Sequence, residues 1–136
     1  MKPLLGHLQI NVATANLGFY KDLLSFLGWQ TLYEDQTMIG AASAQDSSLW
    51  FVGGAKEVAY DYDGPGMNHI GFGAERQEDV IATARYLEER GIARLFETPR
   101  HRPEFAGGEG QTYFQVMFES PDRLLFEVVY TGPKQD

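Results

Sequence analysis

The feature that most constrains the fold is an order of hydrophobic patterns that occurs twice along the chain. Each time, a segment with two-residue alternation precedes a segment with three- and four-residue spacing, and three short strand-like segments follow. The two helical segments, at 16–27 and 79–90, are each followed by a glycine, which commonly ends a helix. The order βαβββ, connector, βαβββ therefore predicts an α+β protein built from two modules.

The two modules are predicted to form one domain around a curved mixed sheet with a concave cleft. A chain of 136 residues is long enough to bury a core without disulfides. A segment rich in glycine and without hydrophobic period separates the modules and reads as a connector. Within the single domain at 1–136, we expect module one at about 1–55, the connector at about 56–65 and module two at about 66–132.

The strands are predicted from alternation and from the polar or glycine-rich breaks between them. A segment with two prolines and several glycines interrupts the strands of module two and is expected to be a long loop at 98–111. The expected strands are at about 4–12, 30–34, 37–42 and 48–52 in module one, and at about 67–74, 92–97, 112–119 and 124–131 in module two.

Composition limits the partners of the chain. It has no cysteine, which excludes disulfides, thiolate metal sites and a cysteine nucleophile. Lys and Arg total 11 against 19 Asp and Glu, so the net charge is −8 and nucleic acid is not an expected partner. No stretch approaches the roughly 20 apolar residues that cross a bilayer, and the N-terminal residues lack the apolar core of a signal peptide. We therefore expect no membrane partner and a cytoplasmic location.

Three predicted strands each carry one potential metal ligand on the side opposite their apolar face. His7 and His69 lie in the opening strands of the two modules, and Glu127 lies in the last strand. Two imidazoles and one carboxylate on a concave surface match a facial-triad site, which leaves coordination positions open for substrate. One divalent ion is expected, either Fe, Mn, Zn or Ni rather than calcium. The alternative is that each is a hydrogen-bonded structural residue.

Three pieces of sequence, in order on these elements, resemble the vicinal oxygen chelate superfamily of glyoxalases, bleomycin-resistance proteins and ring-cleaving dioxygenases. The resemblance covers nearly the whole chain and implies a small-molecule substrate. The pieces are the opening strand with Gly18-Phe19-Tyr20-Lys21-Asp22 and Leu27-Gly28-Trp29, then Met67-Asn68-His69-Ile70-Gly71-Phe72, and then Tyr113-Phe114, Phe118-Glu119-Ser120-Pro121-Asp122-Arg123 and Phe126-Glu127.

The resemblance places His7, His69 and Glu127 on the metal-ligand positions of the family. Glyoxalase I enzymes have a fourth ligand, typically Glu, in the last strand of module one, and methylmalonyl-CoA epimerases usually have Gln there. The corresponding strand at 47–52 has neither a carboxylate nor an amide. The resemblance therefore favours the three-ligand branches, which are ring-cleaving dioxygenases and fosfomycin-type thiol transferases. The chain differs from the family in two respects. The first is this missing fourth ligand, and the second is Arg123, which stands where the family usually has a turn glycine.

The segment 98–111 holds further candidates for function. Arg100 and Arg102 suit the binding of a carboxylate or phosphate, and His101 is a candidate general acid or base. Tyr113 follows the segment, and phenols there often assist catalysis in the ring-cleaving branch. The alternative for the segment is a solvated loop whose charges have no role. The alternative for Tyr113 is an aromatic side chain packed against a neighbour in its strand. Alternation along the strands of module one gives three more candidate substrate-binding residues, because it puts them on the side opposite the apolar face. They are Gln9, Asn11 and Trp50.

The sequence leaves three readings of the function open. The first is a metalloenzyme that binds two adjacent oxygens of a small substrate, acting as a lyase, isomerase, thiol transferase or ring-cleaving enzyme. The alternative is a metal-free small-molecule or antibiotic-binding protein like the bleomycin-resistance proteins, which have generally lost the ligand triad. A third reading is an interaction module with a vestigial site. The resemblance also implies a homodimer, in which one site takes His7 from one chain and His69 with Glu127 from the other.

Overall fold

The computed structural model describes all residues, Met1–Asp136, and they form two compact units, Met1–Ala59 and Tyr60–Asp136. Each unit holds one βαβββ module, so the predicted fold class is confirmed. Unit one contains β1 (His7–Asn11), α1 (Leu17–Phe26), β2 (Gln30–Glu34), β3 (Met38–Ala42) and β4 (Ser48–Val52). Unit two contains β5 (His69–Ala74), α2 (Gln77–Glu89), β6 (Leu95–His101), β7 (Gln111–Glu119) and β8 (Leu125–Pro133).

The two units have the same sheet topology. The strand order is β1-β4-β3-β2 in unit one and β5-β8-β7-β6 in unit two. In each unit the first strand is parallel to the last, and the other neighbours are antiparallel. The opening strand of each module therefore lies directly beside its closing strand. Neither helix is long and apolar enough to cross a membrane.

The core of unit one lies between α1 and the sheet. Tyr20 of α1 stacks on Phe51 of β4, with ring centroids 4.2 Å apart and planes 12° apart. Leu23 and Leu24 are buried beside Tyr20, because residues three and four positions apart share one face of a helix. In β1, Ile10 is buried whereas its neighbours in sequence are exposed, which is the expected strand alternation.

The core of unit two lies between α2 and the central strands of its sheet. Phe126 of β8 is fully buried, and its ring stacks against Phe72 of β5 at 6.0 Å and against Phe118 of β7 at 5.6 Å. Val80 and Leu87 of α2 are also fully buried. These contacts hold β8 between its two neighbours, with alternate residues left to face the other side of the sheet.

The predicted opening strand at 4–12 is too long. The strand begins only at His7, and Leu4 and Leu5 are exposed. Their apolar side chains continue the alternation in sequence, but in this structure they cover nothing. The alternation of apolar residues alone therefore predicted a strand that begins too early.

The prediction of one long loop at 98–111 is wrong. The residues up to His101 belong to β6, a short 3₁₀ turn covers Pro103–Phe105, and β7 starts at Gln111. A strand that contains Pro99 is tolerated because β6 is an edge strand, where one backbone N–H is not needed for pairing. The pairing of β6 with β7 is irregular between Leu95 and Arg100. Because of this irregularity, the sequence of β6 does not show the two-residue alternation by which a strand is predicted.

Candidate functional site

A cavity of about 420 Å³ lies in unit two. His69 and Glu127, two of the three predicted metal ligands, both line it. The parallel pairing of β5 with β8 explains why they share one side of the sheet. Gly71 is in register with Glu127, and His69 lies two residues before Gly71 on the same face.

Gly71 leaves space beside the carboxylate of Glu127. A Cβ atom at this position would lie 3.4 Å from Glu127 Oε1 and would stand on the cavity side of the sheet. The absence of a side chain therefore keeps the approach to that oxygen open.

Glu127 is only 4% exposed, and each of its carboxylate oxygens accepts a hydrogen bond. The Tyr113 hydroxyl donates to Oε1 at 2.7 Å, and Gln115 Nε2 donates to Oε2 at 2.5 Å. A buried carboxylate without partners would be costly, and these two donors offset much of that cost. Each carboxylate oxygen has more than one lone pair, so both retain the capacity to bind a further partner.

Tyr113 is held in its protonated form. Burial, together with the hydrogen bond to Glu127, raises the pKa of Tyr113 to about 12. The phenol is therefore a hydrogen-bond donor throughout the neutral pH range. Phe105 lies against the same ring in an edge-to-face arrangement at 5.4 Å.

His69 is oriented by the residue that precedes it. Asn68 Nδ2 donates to the backbone oxygen of Tyr62 at 2.8 Å, which points Asn68 Oδ1 toward His69 Nδ1, also at 2.8 Å. Because this oxygen can only accept, Nδ1 of His69 donates to it, and in the neutral imidazole this tautomer leaves the lone pair on Nε2. Metal-binding histidines are commonly held in this way by a hydrogen-bond acceptor on the other ring nitrogen.

Of the candidate residues in and beside the segment 98–111, Arg102 and Tyr113 line the cavity, whereas Arg100 and His101 do not. His101 pairs with Phe114, and its Nδ1 lies 2.6 Å from Thr112 Oγ1. Alternation along β7 puts Thr112 and Phe114 on the side opposite Tyr113, so His101 lies on the other face of the sheet from Glu127. The catalytic role of His101 stays a prediction that this geometry does not favour.

In unit one, His7, Gln9 and Asn11 share the exposed face of β1, and Gln9 Nε2 donates to Asn11 Oδ1 at 3.2 Å. The in-register pairing of Gln9 with Trp50 puts Trp50 on the same face. The structure therefore brings these four predicted residues to one face of unit one.

Trp50 occupies the position in unit one that Glu127 occupies in unit two. Each is two residues beyond the register partner of the opening histidine, which is Ser48 for His7 and Leu125 for His69. The place of a fourth metal ligand is therefore filled by an indole.

Gly40 makes the placement of Trp50 possible, and the variant Gly40→Ala tests this packing. An added Cβ would lie 2.4 Å from the indole ring, so we expect Trp50 to be displaced, at a cost of about 1–3 kcal/mol in the free energy of unfolding. Tryptophan fluorescence and chemical denaturation would report both effects. Gly18→Ala is the matched control, since a Cβ there meets nothing within 4 Å. Unchanged emission and stability in Gly40→Ala would contradict this account.

Sequence reasoning missed Gln115, Asn68 and Gly71. Gln115 lies two residues after Tyr113 in β7, so both face the same side of the sheet. Alternation could therefore have identified Gln115 as a neighbour of Tyr113 in the site. Asn68 is adjacent to His69, but adjacency alone does not predict a hydrogen bond. The role of Gly71 depends on the register between β5 and β8, which the sequence does not give.

No three His, Cys, Asp or Glu side chains of the chain are grouped as a metal centre. The structure brings together two of the predicted ligands, His69 and Glu127, in the cavity of unit two. The third, His7, lies in unit one and is exposed.

Solved structures resemble the chain over nearly its whole length. A candidate glyoxalase from Bacillus halodurans has a TM-score of 0.76 and 27% identity, covering 93% of this chain and 95% of that one. A glyoxylase/bleomycin resistance protein/dioxygenase domain from Frankia sp. EAN1pec has a TM-score of 0.66 and 18% identity, with coverages of 97% and 100%. The fosfomycin resistance protein FosX from Listeria monocytogenes, complexed with Mn(II) and sulfate, has a TM-score of 0.69 and 19% identity, with coverages of 97% and 93%.

No protein-family model matches the sequence, and no curated protein matches it. The structural neighbours are glyoxalase/bleomycin resistance/dioxygenase domain proteins and FosX, which are members of the vicinal oxygen chelate superfamily. The resemblance predicted from the sequence is therefore confirmed.

Proposed function

We propose that this chain, which has the vicinal oxygen chelate fold, is a metalloenzyme acting on a small molecule with two adjacent oxygens. The observation that carries the proposal is that His69 and Glu127 face one cavity with their hydrogen-bond partners already in place. Imidazole and carboxylate ligands suit Fe, Mn, Zn or Ni. The Mn(II) in the FosX structure supports a divalent metal in this fold.

We propose that His7 of the partner subunit completes the ligand set in a homodimer. Three observations support this. The chain itself groups no three suitable ligands, and His7 is exposed at the start of β1. His7 and His69 also stand at equivalent places, each as the first residue of the opening strand of its module. A symmetric dimer would form two identical sites of this kind.

A bound divalent ion would act as a Lewis acid toward the substrate oxygens. The chain's own residues would supply the rest. Protonated Tyr113 donates its one hydroxyl proton to Glu127, and in the proposed site its oxygen would accept a hydrogen bond from a hydroxyl of the substrate. Phe96 and Phe105 form an apolar part of the cavity wall, which would exclude water from a bound substrate. Lyase, isomerase, thiol-transfer and ring-cleaving reactions all fit this arrangement.

A metal-free small-molecule-binding protein is the second candidate function. The observation that favours it is the exposure of Phe96 and Phe105, both of which line the cavity. Exposed aromatic rings at a cavity are suited to holding a ligand by stacking. His69 and Glu127, which line the same cavity with hydrogen-bond partners in place, favour the metalloenzyme instead.

Metal analysis of protein purified anaerobically, untagged and without chelator tests the first proposal. We expect about one Fe, Mn, Zn or Ni per chain in the wild type, with loss in His69→Ala and in Glu127→Ala. His101→Ala is the matched control, because this third histidine lies on the other face of the sheet, and it should keep its metal. Light scattering should give the mass of a dimer. Wild-type protein that takes up none of the four metals on titration would favour the binding protein.

A further inference from the structure

The buried amide of Gln115 links Arg102 to Glu127. Gln115 is only 2% exposed and lies in the middle of β7. Its Oε1 accepts a hydrogen bond from Arg102 Nη1 at 2.8 Å, and its Nε2 donates to Glu127 Oε2. Both ends of the amide are therefore in use, one toward a cation and the other toward the carboxylate.

Arg102 determines which end of the amide faces Glu127. A guanidinium group has donors only, so it can bond the oxygen of Gln115 but not its NH₂ group. If the amide were turned by half a rotation, its oxygen would face the carboxylate and its NH₂ group would face the guanidinium. Both contacts would be repulsive. The hydrogen bond from Arg102 therefore fixes Gln115 as a donor to Glu127.

Arg102 is itself held in place by its neighbours in sequence. Its Nε lies 2.5 Å from Glu104 Oε1, and its guanidinium lies 4.9 Å from the centroid of the Phe105 ring. The Arg102 side chain is 20% exposed. A rigid guanidinium with two anchors of its own can orient the amide it contacts.

We propose that Gln115 and Arg102 are positioning residues for Glu127 as a metal ligand. Gln115 holds one carboxylate oxygen while Tyr113 holds the other, so the plane of the carboxylate is set before a metal binds. Arg102 acts through Gln115. The inference rests on the proposed function, because it requires that Glu127 binds a metal. Partners of this kind typically contribute about 10–100-fold to metal affinity.

Two variants test the link on the full-length protein. Gln115→Leu removes the amide at similar volume, and Arg102→Met removes the guanidinium but keeps an apolar stem. Calorimetric titration with Mn(II) should show affinity about 10–100-fold weaker than the wild type in both. The visible spectrum of Co(II)-loaded protein should also change, because its bands depend on ligand geometry. Arg102→Lys, which keeps one cationic donor, should recover part of the affinity.

The controls separate positioning from folding. Arg94→Met removes a guanidinium that pairs with Glu88 and does not line the cavity, so this variant should bind Mn(II) nearly as well as the wild type. Thermal unfolding without metal should show that Arg102→Met remains folded.

The outcomes distinguish this inference from the proposed function. Wild-type affinity and an unchanged Co(II) spectrum in Arg102→Met would overturn the positioning role while leaving the metalloenzyme proposal intact. A wild-type protein that binds neither Mn(II) nor Co(II) would overturn both. Weaker binding with a shifted spectrum in both variants, and near-normal binding in Arg94→Met, is the result expected.

Discussion

Mixing His7→Ala protein with Glu127→Ala protein is expected to restore metal binding that neither variant has alone. In the proposed dimer, each site takes His7 from one chain and Glu127 with His69 from the other. A mixed dimer then has one site with both substitutions and one site with none. Loss of a direct ligand should weaken metal binding by more than the roughly 10–100-fold typical of outer-sphere partners, so each variant alone should be nearly metal-free.

The amount restored is a quantitative test. Random exchange of subunits gives mixed dimers as half of the population, so about one quarter of the wild-type metal content should return. Unfolding and refolding the two variants together would ensure exchange, and metal would be measured after removal of free ions. Glu127→Ala mixed with His69→Ala is the matched control, because both residues come from the same unit of the same chain and no intact site can form. Equal recovery in both mixtures would contradict the shared site.

Phe126→Ala is expected to lower the free energy of unfolding by about 3–5 kcal/mol. The ring is fully buried and contacts aromatic rings from both neighbouring strands, Phe72 of β5 and Phe118 of β7. Removing it leaves a cavity at the centre of the unit-two core, and the surrounding side chains can fill such a cavity only in part. Since total stability is commonly about 5–15 kcal/mol, the loss would be a large share of it.

Chemical denaturation followed by circular dichroism would measure this change. Phe26→Ala is the matched control: Phe26 is a partly exposed phenylalanine at the end of α1, and its removal should cost far less. Similar losses in the two variants would show that burial in unit two is not the source of the effect. Glu127 follows Phe126 directly in β8. The metal affinity of Phe126→Ala, measured at low temperature, would therefore also show whether the packing of Phe126 keeps Glu127 in position.

The sequence alone determined the features that depend on local periodicity. The repeated change from two-residue to helical spacing predicted both modules, because each period reflects the geometry of one element. Alternation also predicted that His69 and Glu127 face away from the apolar side of their strands. Both statements require only residues close together along the chain.

The tertiary structure decided which strands are neighbours and in what register. It placed β8 beside β5, linked Arg102 through Gln115 to Glu127, and extended β6 to His101, which turned that histidine to the opposite face. A shift of one residue in register reverses the face of every side chain in a strand, and register depends on pairing between residues far apart in sequence. The orientation of the carboxylate was therefore not readable from the sequence, because it follows from contacts that form only when the sheet is assembled.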